Sequence, residues 1–472
     1  MIQSRNQYFL KRASSVYFIS LACCSLLFFN HLMAWYWALA GAVEIALFYY
    51  LSVGWEKGWG KIPPAAFERN VFISTAIIRL LWVFIYYLFT TSVWHTPWEQ
   101  PIGTTMDSTG YYNEAVWVYE MMKAGDLRPY FIYLGTGVSD AGYPVFLALL
   151  KFLINDSIVL TRIPNAFFDA WTAVLTYRLA KRNFGEPVAR IASIFVILMP
   201  MLIFYSGVTM KESLMLMFSM WAIERGDFVI REKQYTFRNL LSFAALALSV
   251  TLFRTALAWV IILAFLCALV FSSEKVINKS RRVAILFVVV FAGAALFGGR
   301  IMDQSEELME QAESTGANFE YRANRKGGNA LVADLNKVVL APLIFTIPFP
   351  TMVEIEGQNI QQLQNGGFYL KNIFSFFCIF ALISLLPKKR WSNNAMIIAF
   401  LIGYLMVLGL SSFAQSGRFH HPVIPIEMIF GAYGISQIKN IRQAKWFDYF
   451  LILEFIIILA WNWFKLKGRG LV

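Results

Sequence analysis

TRIPNAFFDAWTAVLTYRLAKRNFGEPVARIASIFVILMPMLIFYSGVTMKES, residues 161–213, decides the class of fold. Two mostly apolar runs, near 158–180 and 188–207, flank a short turn where Arg178, Lys181, Arg182 and Arg190 gather, and the second run ends on Lys211 and Glu212. About 20 predominantly apolar residues are what a helix needs to cross a bilayer, and short loops rich in Lys and Arg stay on the cytoplasmic side. The stretch therefore reads as a helical hairpin through a membrane, with the basic turn inside and Lys211–Glu212 emerging outside.

The rest of the chain repeats the pattern. Hydrophobic residues make up 58% of the 472 and charged ones 15%, too little polar surface to cover a soluble globule. The same ruler finds thirteen candidate spans, near 14–31, 34–55, 71–92, 158–180, 188–207, 212–226, 239–253, 256–272, 283–299, 369–387, 394–412, 422–438 and 447–464. With the N-terminus inside, 24 of the 41 Lys and Arg fall in short cytoplasmic connections; Lys465, Lys467 and Arg469 are the misfit, falling outside. The formal charge of +12 thus belongs to inner loops and anionic membrane lipids, with no sign of a nucleic-acid partner. The N-terminal MIQSRNQYFLKRASS leads into an apolar run without a small-residue cleavage site, so the first span is expected to be retained. Cys23, Cys24, Cys267 and Cys378 lie in apolar runs and read as small hydrophobes. The expected fold is all-α and polytopic: one membrane domain over 1–472 with about 13 transmembrane helices.

Two connections are long, 93–157 and 300–368, and both fall outside. Loops held by a rigid scaffold are where function concentrates. In the first, YYNEAVWVYEMM (111–122) carries an apolar stripe at Tyr111, Ala115, Val118, Tyr119 and Met122, and GYPVFLALLKFL (142–153) is too short to span; both read as interfacial helices. In the second, LAPLIFTIPFP (340–350) is apolar but broken by Pro342, Pro348 and Pro350, which reads as a re-entrant or surface-lying piece.

The residues with chemistry to offer cluster at the outer mouths. Asp107, in TTMDSTGYYNEA, closes a polar loop before a helix and is either a reactive carboxylate or a helix cap. Lys211 and Glu212 are either site residues or interfacial anchors. Arg254 falls at an outward turn inside the apolar stretch 239–271, a costly place unless it faces a cavity or an anion. Arg418, in AQSGRFHHPVIPIE, stands beside His420 and His421; guanidinium suits a phosphate by bidentate bonding, while two adjacent histidines point apart and make a poor metal pair. Arg300, Arg322, Arg325 and Lys326 form a further basic reserve, or a solvated face. No GxxxxGK[ST], HExxH, CxxC or GxSxG pattern is present, so nucleotide-driven pumping and standard hydrolysis gain no support.

Taken in order, these features resemble the GT-C superfamily of multi-span glycosyltransferases, which includes oligosaccharyltransferase catalytic subunits, protein O-mannosyltransferases and lipid A aminoarabinose transferases. The resemblance covers 71–226 and, more weakly, 411–436. A span leads to a long first external loop with an early Asp, here Asp107, followed by Tyr111 and Tyr112, and then by Gly142-Tyr143-Pro144. TRIPNAFFDAWTAVLTYRLAKRNFG is similar to the family's inward span, and ARIASIFVILMPMLIFYSGVTMKESL to its outward span with an internal proline. SGRFHHPVIPIEMIFGAYGI resembles the late Arg and proline-rich span start. Metal-using members commonly carry an acidic residue at the second exit; here Lys211 precedes Glu212, so no tightly bound metal is expected, with Mn or Mg as the alternative and Glu212 as its ligand.

The resemblance implies a polyprenyl-phosphate sugar donor and a lipid-linked glycan, lipid or protein acceptor, in a bacterial inner membrane with the site facing the periplasm or exterior. Asp107 would take the acceptor's proton, Lys211, Arg254 and Arg418 would hold the donor phosphate, and Tyr111, Tyr112, Tyr143, His420 and His421 would contact donor or acceptor, with inversion at the anomeric carbon. Two rivals remain: an O-antigen polymerase or ligase built on outer Arg and His, and a flippase or transporter of lipid-linked sugars, which calls for mid-span charges and related halves.

Overall fold

The structure, a computed structural model, describes residues 2–98, 107–135, 138–154, 156–271, 343–386, 390–409, 414 and 416–471. The expected span at 283–299 and the basic residues Arg300, Arg322, Arg325 and Lys326 lie outside the described residues. Among those described, all regular structure is helical: α1 (Ile2–Leu27), α2 (Trp35–Trp59), α3 (Pro64–Val93), α4 (Asp107–Ala124), α5 (Arg128–Leu134), α6 (Gly142–Ile154), α7 (Ile158–Phe184), α8 (Glu186–Leu198) and α9 (Pro200–Ser206). The second half adds α10 (Glu212–Arg231), α11 (Phe237–Thr251), α12 (Thr255–Phe271), α13 (Asn359–Leu363), α14 (Asn365–Leu385), α15 (Ala395–Gly409), α16 (Gly417–His420), α17 (Ile424–Gln437) and α18 (Ile441–Lys467). Six of the described helices are long and apolar enough to cross a membrane, or up to eight if each bent pair is one span.

One of those pairs is α8 and α9, which meet at 51°. Pro200 has no N–H to give to the carbonyl four residues back, so the helix must break there. The freed carbonyls of Val196 and Ile197 accept from Arg79 of α3 at 3.2 and 2.9 Å. Arg79 in turn lies 3.4 Å from Asp169 of α7, and both side chains are buried. Neutralising a buried guanidinium this way is what makes its presence in a span tolerable. The bend redirects the chain so that the turn 207–211 and the start of α10 face α7.

The helices present two distinct ends. At one, Asn6 bonds Glu56, Arg12 pairs with Asp448, and Arg190 donates to the carbonyls of Trp59 and Ile62. At the other, Glu354 N bonds His31 O, His31 meets Leu471 O, and Lys465 donates to Thr351 and Gln358, both at 2.6 Å. The second end gathers the termini of α1, α14 and α18 that the sequence places outside. Lys465, the topological misfit, is buried and has protein partners there.

The broken apolar piece packs inward. Around Pro348 and Pro350 the backbone is not helical, and Ile344, Ile347 and Phe349 are buried. Lys371 of α14 donates to the carbonyls of Phe345 and Ile347, each at 2.7 Å, and Ser375 donates to Phe345 O as well. Ser375 lies ten residues into α14, so the piece reaches about 15 Å along that helix at ~1.5 Å per residue. Irregular backbone at such depth survives only where protein satisfies it. Lys371 does so and has Glu427 of α17 at 3.9 Å. The α14–α17 contact is close because Gly434 has no side chain: a Cβ there would meet Phe377 O at 2.1 Å.

Candidate active site

Arg418 draws the distant pieces together. Held on the short α16, its Nε donates to Glu212, its Nη1 to Asp107, and its Nη2 to the hydroxyl of Tyr111 at 3.2 Å. Glu212 is the first residue of α10 and fully buried; Asp107 is the first residue of α4, with its side chain 61% exposed. One cation thus holds a buried and an exposed carboxylate. Burial alone would lower the proton affinity of Arg418, but Glu212, Tyr111 and Asp107 outweigh it and hold the group firmly protonated. Tyr111 is pushed up to about 12, chiefly by burial, and stays a neutral hydroxyl. Its ring packs edge-on against buried Tyr143, 5.5 Å between centres.

Lys211 sits beside this group. It donates to Phe253 O at 2.6 Å, pairs with Asp140, and lies 6.0 Å from the centre of the Tyr111 ring. Burial, against the pull of Glu212 and with the push of Arg254 and Arg418, draws its ammonium down to about 7. The Gly142-Tyr143-Pro144 segment is built into the same corner. Gly142 N bonds Leu252 O at 2.8 Å, and a Cβ on Gly142 would meet Leu252 Cβ at 2.9 Å, so only glycine lets α6 start against the α11–α12 turn.

That turn carries Arg254. Its guanidinium lies 4.4 Å from the centre of the Phe419 ring and donates to the Tyr404 hydroxyl at 2.9 Å. Among the described residues it makes no ion pair, so this cation, unlike Arg418 and Lys211, is uncommitted to a carboxylate.

Not every expected residue joins the group. Tyr112, one position along α4 from Tyr111, turns away and donates to Asp156 at 3.1 Å, with Lys151 over its ring. His420 and His421 are fully buried. The ring of His420 meets Ala414 O at 2.7 Å, and His421 packs edge-on against Tyr205, 4.8 Å between centres. Burial keeps both neutral, drawing His421 down to about 3 against the pull of Glu212.

Several contributors went unseen in the sequence. Arg162 of α7 donates through Nε to Thr209 at 3.1 Å and through Nη2 to Pro97 O; Asn165, on the same face, donates to Val208 O at 3.0 Å. Both are buried. One side chain therefore ties the exit turn before Lys211 to the loop leading towards Asp107. The visible signal was charge inside a span, at Arg79, Arg162 and Asp169. Nothing local marks Asp140 as the partner of Lys211. The mid-span charges a transporter would need do exist, then, but Arg79 and Asp169 pair with each other and Lys371 with backbone and Glu427.

Among the described residues, no group of three or more His, Cys, Asp and Glu side chains could hold a metal ion. The carboxylates of Asp107 and Glu212 both bond the guanidinium of Arg418.

Over about half of its length the chain is similar to a glycosyltransferase family of the GT-C fold. Residues 71–304 match the model of the Alg9-like mannosyltransferase family, a stretch that holds Asp107, Lys211, Glu212 and Arg254 but ends before Arg418. Neither the curated proteins nor the solved structures contain a match.

Proposed function

We propose that the chain transfers a hexose, mannose in the first instance, from a polyprenyl-phosphate donor to a hydroxyl of a glycan, lipid or protein acceptor on the non-cytoplasmic face. The observation that carries this reading is the convergence of Asp107, Glu212 and Tyr111 on Arg418 beside two further cations. In the reaction the acceptor oxygen gives its proton to Asp107 and bonds to the anomeric carbon from the face opposite the donor phosphate. The bond from that carbon to the phosphate oxygen breaks, and the polyprenyl phosphate departs with the electron pair, leaving the sugar inverted. Arg418, already committed to two carboxylates, fixes the direction of Asp107. Arg254 meets the leaving phosphate, with Lys211 as the second cation, in a half-buried setting where such stabilisation is strong.

The polymerase or ligase alternative loses support at its histidines, which are buried, and keeps it at Arg418; substituting Asp107 separates the two readings, since the alternative needs no early-loop carboxylate. The direct experiment incubates the full-length protein, in detergent or nanodiscs, with radiolabelled polyprenyl-phosphate mannose and with the glucose analogue, and follows label into lipid, glycan and protein fractions. We expect transfer from the mannosyl donor that persists in a chelator. Loss in chelator with recovery on adding manganese or magnesium would make Glu212 a metal ligand, and absence of both binding and transfer with every polyprenyl-phosphate sugar would end the proposal.

A further inference from the structure

A second candidate site lies at the opposite end of the helices from Arg418. Between α1 and α18 runs a groove of about 650 Å³, inside the ~300–1,000 Å³ range of small-molecule sites. Its lining changes character along its length. At one end stand Lys11 and Arg12; at the other, Val16, Ile19, Leu451 and Phe455 make an apolar channel. The α18 residues 448, 451, 452 and 455 that line it recur at helical spacing, so they form one face.

The charges at the polar end do not cancel. Arg12 pairs with Asp448 and lies 4.6 Å from the centre of the Tyr8 ring, which fixes its guanidinium at the mouth. Lys11 is exposed and, among the described residues, makes no ion pair; Lys445, one turn back on α18, is exposed too. Two lining cations face one carboxylate, with more positive charge beyond. Such a basic pocket between membrane helices recognises an anionic headgroup.

Length gives the second constraint. From Tyr8 to Ile19 the groove follows α1 for eleven residues, about 16 Å at ~1.5 Å per residue. Half of a roughly 30 Å hydrocarbon core is about 15 Å. The groove is therefore one leaflet deep, cationic where a headgroup sits and apolar where a chain lies, and Ile19 and Ile452 leave its flank open to lipid.

We propose that this groove binds an anionic glycerophospholipid, its phosphate between Lys11 and Arg12 and one acyl chain along Val16, Ile19, Leu451 and Phe455. The site is independent of the transfer reaction, being at the other end of α1 from the His31–Leu471 contact.

The test is native mass spectrometry of the full chain in detergent micelles, titrated with phosphatidylglycerol or phosphatidylcholine, with thermal unfolding to check that each variant is folded. The wild type is expected to retain phosphatidylglycerol roughly tenfold better, because it carries a net negative charge where phosphatidylcholine, with the same phosphate, is zwitterionic. Lys11→Glu and the milder Lys11→Gln should erase that preference. Ile19→Trp, which fills the channel without changing charge, should lower retention of both lipids. Lys57→Glu, at the same end of the protein but on α2, should change nothing. Equal retention of the two lipids by the wild type would overturn the proposal. So would an equal loss on Lys57→Glu, which would mean diffuse surface charge, or tighter groove-dependent binding of polyprenyl phosphate, which would assign the groove to the carrier.

Discussion

Replacing Asp107 by Asn separates structural from chemical work at this position. The side chain of Asp107 is 61% exposed and that of Arg418 15%, so their pair belongs with interfacial ones, worth roughly 0.2–1 kcal/mol. As the first residue of α4 it also favours the helix dipole, by about 0.3–1 kcal/mol. The variant should therefore lose about 1–2 kcal/mol of stability at most. As a base, Asn has no proton acceptor to offer, and losing general-base catalysis costs ~10²- to 10⁴-fold in rate, or about 2.7–5.5 kcal/mol of barrier. The chemical loss is the larger of the two. The assay is the initial rate of label transfer at matched amounts of folded protein, beside a thermal unfolding midpoint and a donor-binding titration. We expect normal donor binding, a small drop in midpoint and nearly no transfer. Transfer within threefold of wild type would refute the base role and leave Asp107 as a helix-start residue. Glu212→Gln is the contrast: it removes one partner of a buried ion pair, a change that costs ~3–5 kcal/mol, so it should damage folding and activity together.

The proposed phosphate-binding role of Lys211 predicts a reaction sensitive to pH. With its ammonium drawn down to about 7, kcat/KM should fall as pH rises through about 7 and the proton leaves, and Lys211→Arg should flatten that limb in a pH–rate profile. Stability runs the other way: between about 7 and the ordinary value of 10.5 the unfolded chain holds a proton the folded one lacks, so stability rises with pH across that window. Denaturation of Lys211→Gln should lack that slope. Thr209→Val and Asn165→Ala, which loosen the exit turn, should lower kcat at least tenfold with little change in donor KM, a split that steady-state kinetics reads directly. Glu120→Cys, at an exposed position of α4, should react with an impermeant thiol reagent in intact cells while Lys181→Cys does not; the reverse pattern would invert the topology.

The helical body was legible because apolar length is a local property. Each run of α2, α3 and α14 can be read without knowing its neighbours. The site was legible only in pieces. Asp107 and Arg418 are 311 positions apart, and nothing in either neighbourhood names the other. Tyr111 and Tyr112 look alike in sequence, yet successive helix positions point about 100° apart, so one enters the cluster and the other joins Asp156. The histidines were read as outer-mouth residues because they adjoin Arg418, but the chain turns into α17 there and buries both rings. Arg79 and Asp169 are the opposite case: both charges stand in plain view inside apolar runs, and only their pairing across α3 and α7 is hidden from the sequence.

The convergence on Arg418 also sets an order of biogenesis. Glu212 enters the membrane early, but its cation is residue 418 of 472. A nascent chain thus carries this carboxylate without the guanidinium it bonds in the folded protein, and only Lys211 and Arg254 offset its charge until residue 418 is made. The start of α10 then reaches its final packing only after α16 is in place, so the cluster is assembled late although most of its members are synthesised early.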